Sequence, residues 1–371
     1  MKKLMKKLIK KYMPKKSASI FNVGCDGTDK PRALICYLTD AFYAKSTSFK
    51  YNTNRLECMS IVNKFLEYGF IVDIVSCNDN FESNEEYDLV FGFGAGYRNA
   101  KLKKIGKRVL YCTEGHPEAS LINELERVNY YKDRHNKKVN IVRSGIYYSA
   151  SDYLIADYCV CMGSHNQEYI IDNLNIPRNR LFDITPTAIQ GKVKSKFSGK
   201  RNILWLGSNG LVHKGLDVLI EAVNSSHNSV NLHVCGVNKK ELKKICQISE
   251  KIIVHGLVDV NSSYFEGILD DCDFIALASC SEGVATGVLT GIKSGLIPIT
   301  TISCGIPHGI KKFTLHSYKV NDIKENLLSI VSLDDDKLID MYDYNSAFVR
   351  DKFNLEHYNN QLSEILDVVV A

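Results

Sequence analysis

Two stretches of this chain, 203–223 and 279–301, each carry a small-residue loop that opens a helix. The first, ILWLGSNGLVHKGLDVLIEAV, reads as a strand, a glycine-containing loop and a helix starting just after Lys214-Gly215. The second, SCSEGVATGVLTGIKSGLIPITT, reads as an acidic loop, a helix from about Thr286 to Ser294, and a strand. Units of this kind belong in parallel sheets covered by helices on both faces. Helix starts behind small-residue loops also present backbone N–H groups and a positive dipole end to an anion. Lys214 adds a full positive charge, so the two stretches describe two halves of a diphosphate site.

The rest of the chain repeats the alternation. RALICYLTDAFY (32–43) reads as a first buried strand with a loop at its carboxyl end. A helix follows, capped near Thr53 or Asn54 and ended by Gly69. FIVDIVSC, YDLVFGFG, KRVLYCTEG and YLIADYCVCMG supply further strands of the first half. Residues 186–200, PTAIQGKVKSKFSGK, lose apolar periodicity and gain Pro, Gly and Ser, which marks a linker. Beyond it come RNILWLG, SVNLHVCG, KIIVHGLV, DFIALAS, LIPITT and a weaker strand near TLHSYKV. At 371 residues the chain suits two domains. The expected division is a leader 1–16, a Rossmann-like domain 20–186, a linker 187–200, a second Rossmann-like domain 201–345 and a C-terminal helix within 346–371.

Gly207, Lys214-Gly215, Glu282-Gly283 and the run Gly295-Leu296-Ile297-Pro298-Ile299 resemble the C-terminal domain of the retaining GT-B glycosyltransferases. That family, the group 1 type, builds polysaccharides, lipopolysaccharide and glycolipids. YNTNRLECMSIVNKFLEYGFIVDIV (51–75) and NELERVNYYKDRH (123–135) extend the resemblance more loosely, over roughly residues 32–355. It implies an α/β fold with two Rossmann-like domains facing a cleft, the first for acceptor and the second for nucleotide-sugar. The implied activity is a hexosyltransferase-type transfer of sugar to a glycan or lipid-linked hydroxyl, with retention and without a metal or other cofactor. The C-terminal helix would return to the first domain.

The resemblance also assigns roles. Lys214 and the helix start formed by Gly283, Thr286 and Gly287 would hold the diphosphate, with Gly207 and Ser208 in the lysine loop. Glu282 would accept hydrogen bonds from the donor sugar, and Gly256-Leu257-Val258 would lie near the base. His116, in YCTEGHPEAS, stands where family members often place a first-domain histidine; it is either a sugar or acceptor contact or a loop histidine satisfied within the fold. Glu114 beside it is a second candidate base. Two departures stand out. The second Glu of the family's E-x7-E motif falls on Thr290, which keeps a hydroxyl but loses the bidentate grip on ribose hydroxyls. The Arg that usually follows the first glycine of the lysine loop is replaced by Ser208-Asn209. These motivate an alternative, a noncatalytic glycan-assembly or partner-binding subunit; a GT-B epimerase fits the acidic loop less well.

Other motifs are set aside on chemistry. GFGAG (92–96) lacks the third glycine of G-x-G-x-x-G and reads as a close-approach turn. Asp271-Cys272-Asp273 imitates a metal-binding D-x-D but leads into a strand, so its carboxylates are expected to face solvent. His308, Lys311 and Lys312 form a basic loop without an assigned role. Twelve cysteines are scattered with no C-x2-C pair, which favours small buried hydrophobes in a reducing cytoplasm over disulfides or a zinc ribbon.

Charge is concentrated at one end. The net +5 includes eight lysines and no acids in residues 1–16, leaving 39 basic against 42 acidic residues elsewhere. A near-neutral body argues against nucleic acid as a partner. No run of eighteen apolar residues appears, which predicts no membrane-spanning helix. In the leader, Leu4, Met5, Leu8, Ile9 and Tyr12 fall on one helical face with lysines opposite and Pro14 as a stop. Such a helix suits an anionic bilayer surface, which would make the protein peripheral at the inner face of the membrane. Removing residues 1–16 should weaken sedimentation with anionic liposomes, and rising salt should weaken binding of the full chain. Equal liposome binding by both forms would reduce the leader to a solvated tail.

Overall fold

The computed structural model describes residues 19–27, 29–43, 53–145, 147–189, 193–194, 196–226 and 230–371. The leader and part of the expected linker lie outside the described residues. In the first half, β1 (Ile20–Val23), β2 (Arg32–Tyr37), β3 (Ile71–Ser76), β4 (Glu86–Gly92), β5 (Lys101–Cys112), β6 (Tyr158–Cys161) and β7 (Leu181–Asp183) form a seven-stranded sheet. Its order is β1-β3-β2-β4-β5-β6-β7, with every pair parallel except β1 and β3. β2 and β3 are apolar on both faces because helices cover both sides, including α1 (Thr53–Glu67), which buries Ile61, Val62 and Phe65.

One detail agrees with the sequence reading and another differs. RALICYLTDAFY is strand to Tyr37, after which Asp40–Phe42 forms a short 3-10 turn. The sheet, however, begins earlier, at β1, whose four residues are too short and too exposed to announce a strand. β1 is held instead by Asp73 in β3, which accepts from Asn22 N at 2.8 Å, Arg32 Nε at 3.0 Å and Tyr87 Oη at 2.9 Å.

In the second half, β8 (Asn202–Leu206), β9 (Leu232–Cys235), β10 (Ile252–Gly256), β11 (Cys272–Leu277), β12 (Ile297–Thr301) and β13 (Phe313–Leu315) form an all-parallel sheet. Its order, β10-β9-β8-β11-β12-β13, reverses direction between β8 and β11. The first sheet reverses between β2 and β4. Ligands of open parallel sheets bind beyond the strand carboxyl ends at such reversals. α2 (Pro117–His135) links the halves, while α3 (Leu216–Ser225) and α4 (Thr286–Lys293) follow β8 and β11. α5 (Leu355–Val370) packs back on the first half, where Tyr358 Oη meets Tyr111 Oη at 2.9 Å and Asp367 accepts from Tyr68 Oη at 2.6 Å.

Glycines of GFGAG sit close to neighbouring strand ends, with a Cβ at Gly92 falling 2.1 Å from Cys36 O. Eleven of the cysteines are buried and all twelve are free thiols. Asp273 corrects an expectation, because it is buried rather than facing solvent. Its Oδ1 accepts from Lys194 Nζ at 2.9 Å and from Ser198 N and Oγ at 2.8 and 2.7 Å. Its Oδ2 accepts from Arg201 N at 3.0 Å, so this carboxylate staples the chain leading into the second sheet. Both partners of the Asp273–Lys194 pair are removed from water, at 0% and 3% side-chain exposure. Asp273→Asn should therefore cost about 3–5 kcal/mol by stranding a buried ammonium. Urea unfolding checks this, and an unchanged midpoint would mean the staple carries no stability.

Candidate active site

The loop after β8 turns sharply into α3 at Gly215, whose φ of +66° suits glycine and whose Cβ would lie 2.2 Å from Ala278 O. That contact presses the lysine loop against the acidic loop that follows β11. A main-chain bond from Cys280 N to His213 O at 2.9 Å ties the two together. Lys214 Nζ then meets Glu282 Oε1 at 2.5 Å, and Ser279 Oγ donates to the same oxygen at 2.9 Å. Burial opposes ionisation of Glu282, but Lys214, His213 and Arg143 outweigh it and hold its carboxyl below the usual range. α4 begins at Thr286 behind Ala285, which offers no capping side chain; Val288 N turns back to Ala285 O at 2.9 Å, so Thr286 and Gly287, which line the cleft, are the residues whose N–H groups can meet an anion.

These groups line a cleft of about 510 Å³ between the two sheets. From the second half it is lined by Gly207, Ser208, Lys214, Glu282, Thr286, Gly287 and Thr290. The opposite wall includes Tyr37 at the end of β2 and Phe93 just past β4, so both strand-order reversals open onto it. Glu114 and Arg143 complete that wall, joined by an ion pair of 2.7 Å. Burial pushes the Glu114 carboxyl up; Arg143 lowers it, and Glu282 adds to the rise. Arg143 is raised despite burial, chiefly by Glu114 and then Glu282.

Three expected site residues stand apart from the cleft lining. His116 is buried with its ring against Tyr153 and Tyr169, at centroid distances of 4.9 and 4.5 Å, and burial lowers its pKa to about 4. It belongs to the packing of the first half, and Glu114 is the nearby acid or base that reaches the cleft. Gly283 is small for another reason than a ligand: its Cβ would lie 2.5 Å from Thr113 O in the first half. Val258 is half-buried against the core, and Val260 lines the cleft instead. Thr290 lines the cleft, but its Oγ1 donates to Thr286 O at 3.0 Å, one turn back. Among the described residues no three His, Cys, Asp or Glu side chains converge as metal ligands.

Sequence reasoning missed the device that holds the cleft walls together. Glu124, on α2, accepts from Val142 N at 3.0 Å, Ser144 N at 2.8 Å and Ser144 Oγ at 2.6 Å, fixing the loop that carries Arg143. His213 Nδ1 lies 3.4 Å from the same carboxylate, and its Nε2 donates to Ser281 O at 2.7 Å. No motif joins Glu124 to His213, and adjacency to Lys214 was the one available hint. Further along α2, Asn123 Nδ2 donates to Cys280 O at 3.0 Å and Arg127 Nη2 to Ala278 O at 2.8 Å.

The comparisons with known proteins agree with this architecture. Residues 200–332 match the family profile described as Glycosyl transferases group 1. The match falls within the second half of the chain and takes in every strand of its sheet. No curated protein matches the chain. TarM of S. aureus superposes with a TM-score of 0.53 at 14% identity, over 76% of this chain and 55% of that one. The chain thus spans about half the length of that relative. Sucrose-phosphate synthase of Thermosynechococcus elongatus gives 0.61 at 10% identity over 92% and 99%. HepE of Anabaena, in complex with UDP and glucose, gives 0.55 at 12% over 92% and 100%. At these identities the likeness establishes the fold: two facing parallel-sheet domains in the GT-B arrangement. No helix among the described residues is long and apolar enough to cross a membrane.

His213 sits at the join between the two domains, on Glu124 of the first and Ser281 of the second, where its charge depends on pH. Burial opposes its charge, but the Cys280 sulfur and the Glu124 carboxylate outweigh burial and push its pKa from 6.5 up to about 10. A raised pKa means the stabilisation is complete below the unfolded value and disappears as pH rises through the folded one. Between pH of about 7 and 10, unfolding free energy should fall more steeply in the parent than in His213→Gln, by up to roughly 1.4 kcal/mol per pH unit. Parallel curves from urea titrations would remove His213 from the join.

Proposed function

We propose that this chain transfers a sugar from a nucleotide-sugar to a hydroxyl of a glycan or lipid-linked acceptor, with retention at the anomeric carbon and without a metal. The observation carrying the reading is the convergence of Lys214, the uncapped start of α4 and Glu282 on one cleft where both strand orders reverse. A diphosphate leaving group gathers negative charge as its bond to the sugar lengthens, and a lysine with helix-start N–H groups stabilises that charge. Lys214 begins in an ion pair with Glu282, so an arriving diphosphate draws the ammonium away and frees Glu282 to accept from sugar hydroxyls. The HepE structure containing UDP and glucose supports a nucleotide-sugar donor. The first domain supplies the acceptor wall, with Glu114 placed beside the cleft. The leader, through its lysines, would hold the protein against an anionic membrane where lipid-linked acceptors reside.

A noncatalytic role in glycan assembly is the second reading, favoured by Thr290, whose hydroxyl already serves Thr286 O. Nucleotide-sugar binding with neither transfer nor hydrolysis would select it. For the first reading, Lys214→Ala should remove roughly 2–4 kcal/mol of transition-state stabilisation, seen as a fall in kcat of the folded enzyme, together with a lower melting temperature because buried Glu282 loses its partner. Transfer at the parent rate by that variant would move the donor phosphates elsewhere.

A further inference from the structure

We infer that Arg143, from the first domain, is a second cationic ligand of the donor diphosphate, completing across the domain boundary the site that Lys214 begins. This rests on the nucleotide-sugar reading above and adds a residue that the sequence motifs do not assign. Among the described residues lining the cleft, Lys214 and Arg143 are the cations, and Glu114 and Glu282 are the acids. The lysine loop offers no other cation to the cleft, because Ser208 and Asn209 are neutral and His213 is turned onto Glu124 and Ser281. A diphosphate carries more than one negative charge, which a single lysine balances incompletely.

Arg143 is held where that balance is needed. Its main chain is anchored by Glu124, which accepts from Val142 N, Arg143 N and Ser144 N at 3.0, 3.3 and 2.8 Å. Its aliphatic stem lies on the lysine loop itself, since a Cβ at Gly210 would come 3.0 Å from Cγ and 3.3 Å from Cδ. One edge of the guanidinium is used, Nη2 donating to Glu114 Oε1 at 2.7 Å. Nε on the fork is buried and has no hydrogen-bond acceptor in the protein, so the terminal N–H groups are the ones a ligand can reach. A planar fork with a full charge and N–H groups beyond the one on Glu114, lining a cleft with a lysine opposite, matches a phosphate oxygen better than an ammonium would. Arrival of a diphosphate also lets Arg143 exchange the Glu114 carboxylate for phosphate oxygens.

Calorimetry with UDP, GDP, ADP, CDP and inorganic pyrophosphate, beside the corresponding nucleosides, tests this on the full chain. Arg143→Gln should weaken the best-bound diphosphate by roughly 10- to 100-fold and leave its nucleoside unaffected. Arg143→Lys should recover part of the loss, and Glu114→Gln, which releases the guanidinium, should tighten diphosphate binding. A purely structural arginine would instead lower the melting temperature and weaken nucleoside and diphosphate alike, and that result would overturn the assignment. Equal diphosphate affinity in parent and Arg143→Gln would overturn it while leaving the nucleotide-sugar reading in place. Failure of the parent to bind any of the five probes would overturn both.

Discussion

Thr113 O occupies the place where a side chain at residue 283 would have to begin. That single contact sets how closely the two domains approach, and the rest of the site depends on it. With the acidic loop seated against the end of β5, Glu114 and Arg143 come from one domain to face Lys214 and Glu282 of the other. The same approach lets α2 run along the acidic loop, where Ser120 Oγ meets Ser281 Oγ at 2.5 Å. Any side chain at 283 would push the loops apart and dilute every one of these interactions with water. Gly283 thus serves the chemistry through the distance it permits.

The charges in the cleft are balanced in pairs, one acid and one base from each domain. A neutral, mutually satisfied set rests stably in a partly buried space, whereas isolated ions would be expelled or neutralised. A polyanion entering the cleft would meet two cations already desolvated and oriented, and would displace the carboxylates rather than strip them of charge. Beyond the cleft lining, Glu124 of α2 pairs with His213 of the lysine loop. It sets the position of the Arg143 loop and of the residue before Lys214 together.

Much of this was legible in the sequence because parallel sheets buried on both faces write themselves as continuous apolar runs. LWL, FIAL and IPI, each behind or before a small-residue loop, placed β8, β11 and β12 and the helices after them. Lys214, Glu282, Thr286 and Gly287 followed from loop chemistry that is local along the chain. What failed was non-local. His116 carries the right chemical type in the right loop, yet its ring is taken up between Tyr153 and Tyr169, and nothing in YCTEGHPEAS discloses those partners. Arg143 lies in a loop without a motif, and its importance comes from Glu114, Glu124 and Gly210, at separations of 29, 19 and 67 residues. Asp273 looked like a solvent-facing acid because its partner Lys194 lies far up the chain.

The chain passes between the domains twice, near Ala188 and again near Phe353, and the crossings touch: Ala188 N donates to Phe353 O at 2.8 Å. On one side Glu57 takes two hydrogen bonds from Thr187, and on the other Asp273 grips Lys194 and Ser198. Two crossings joined at one point suppress sliding and leave rotation about that point as the relative motion the chain path permits, opposed by the bonds from α2 to the acidic loop. The molecule is therefore built like a hinge with a single pin, and Ile189, which lines the cleft, sits one residue from that pin. Opening by such a rotation moves the walls least beside the pin and most at the far lip. A donor lodged near the pin would feel little of that swing, and an acceptor seated at the rim would feel most of it.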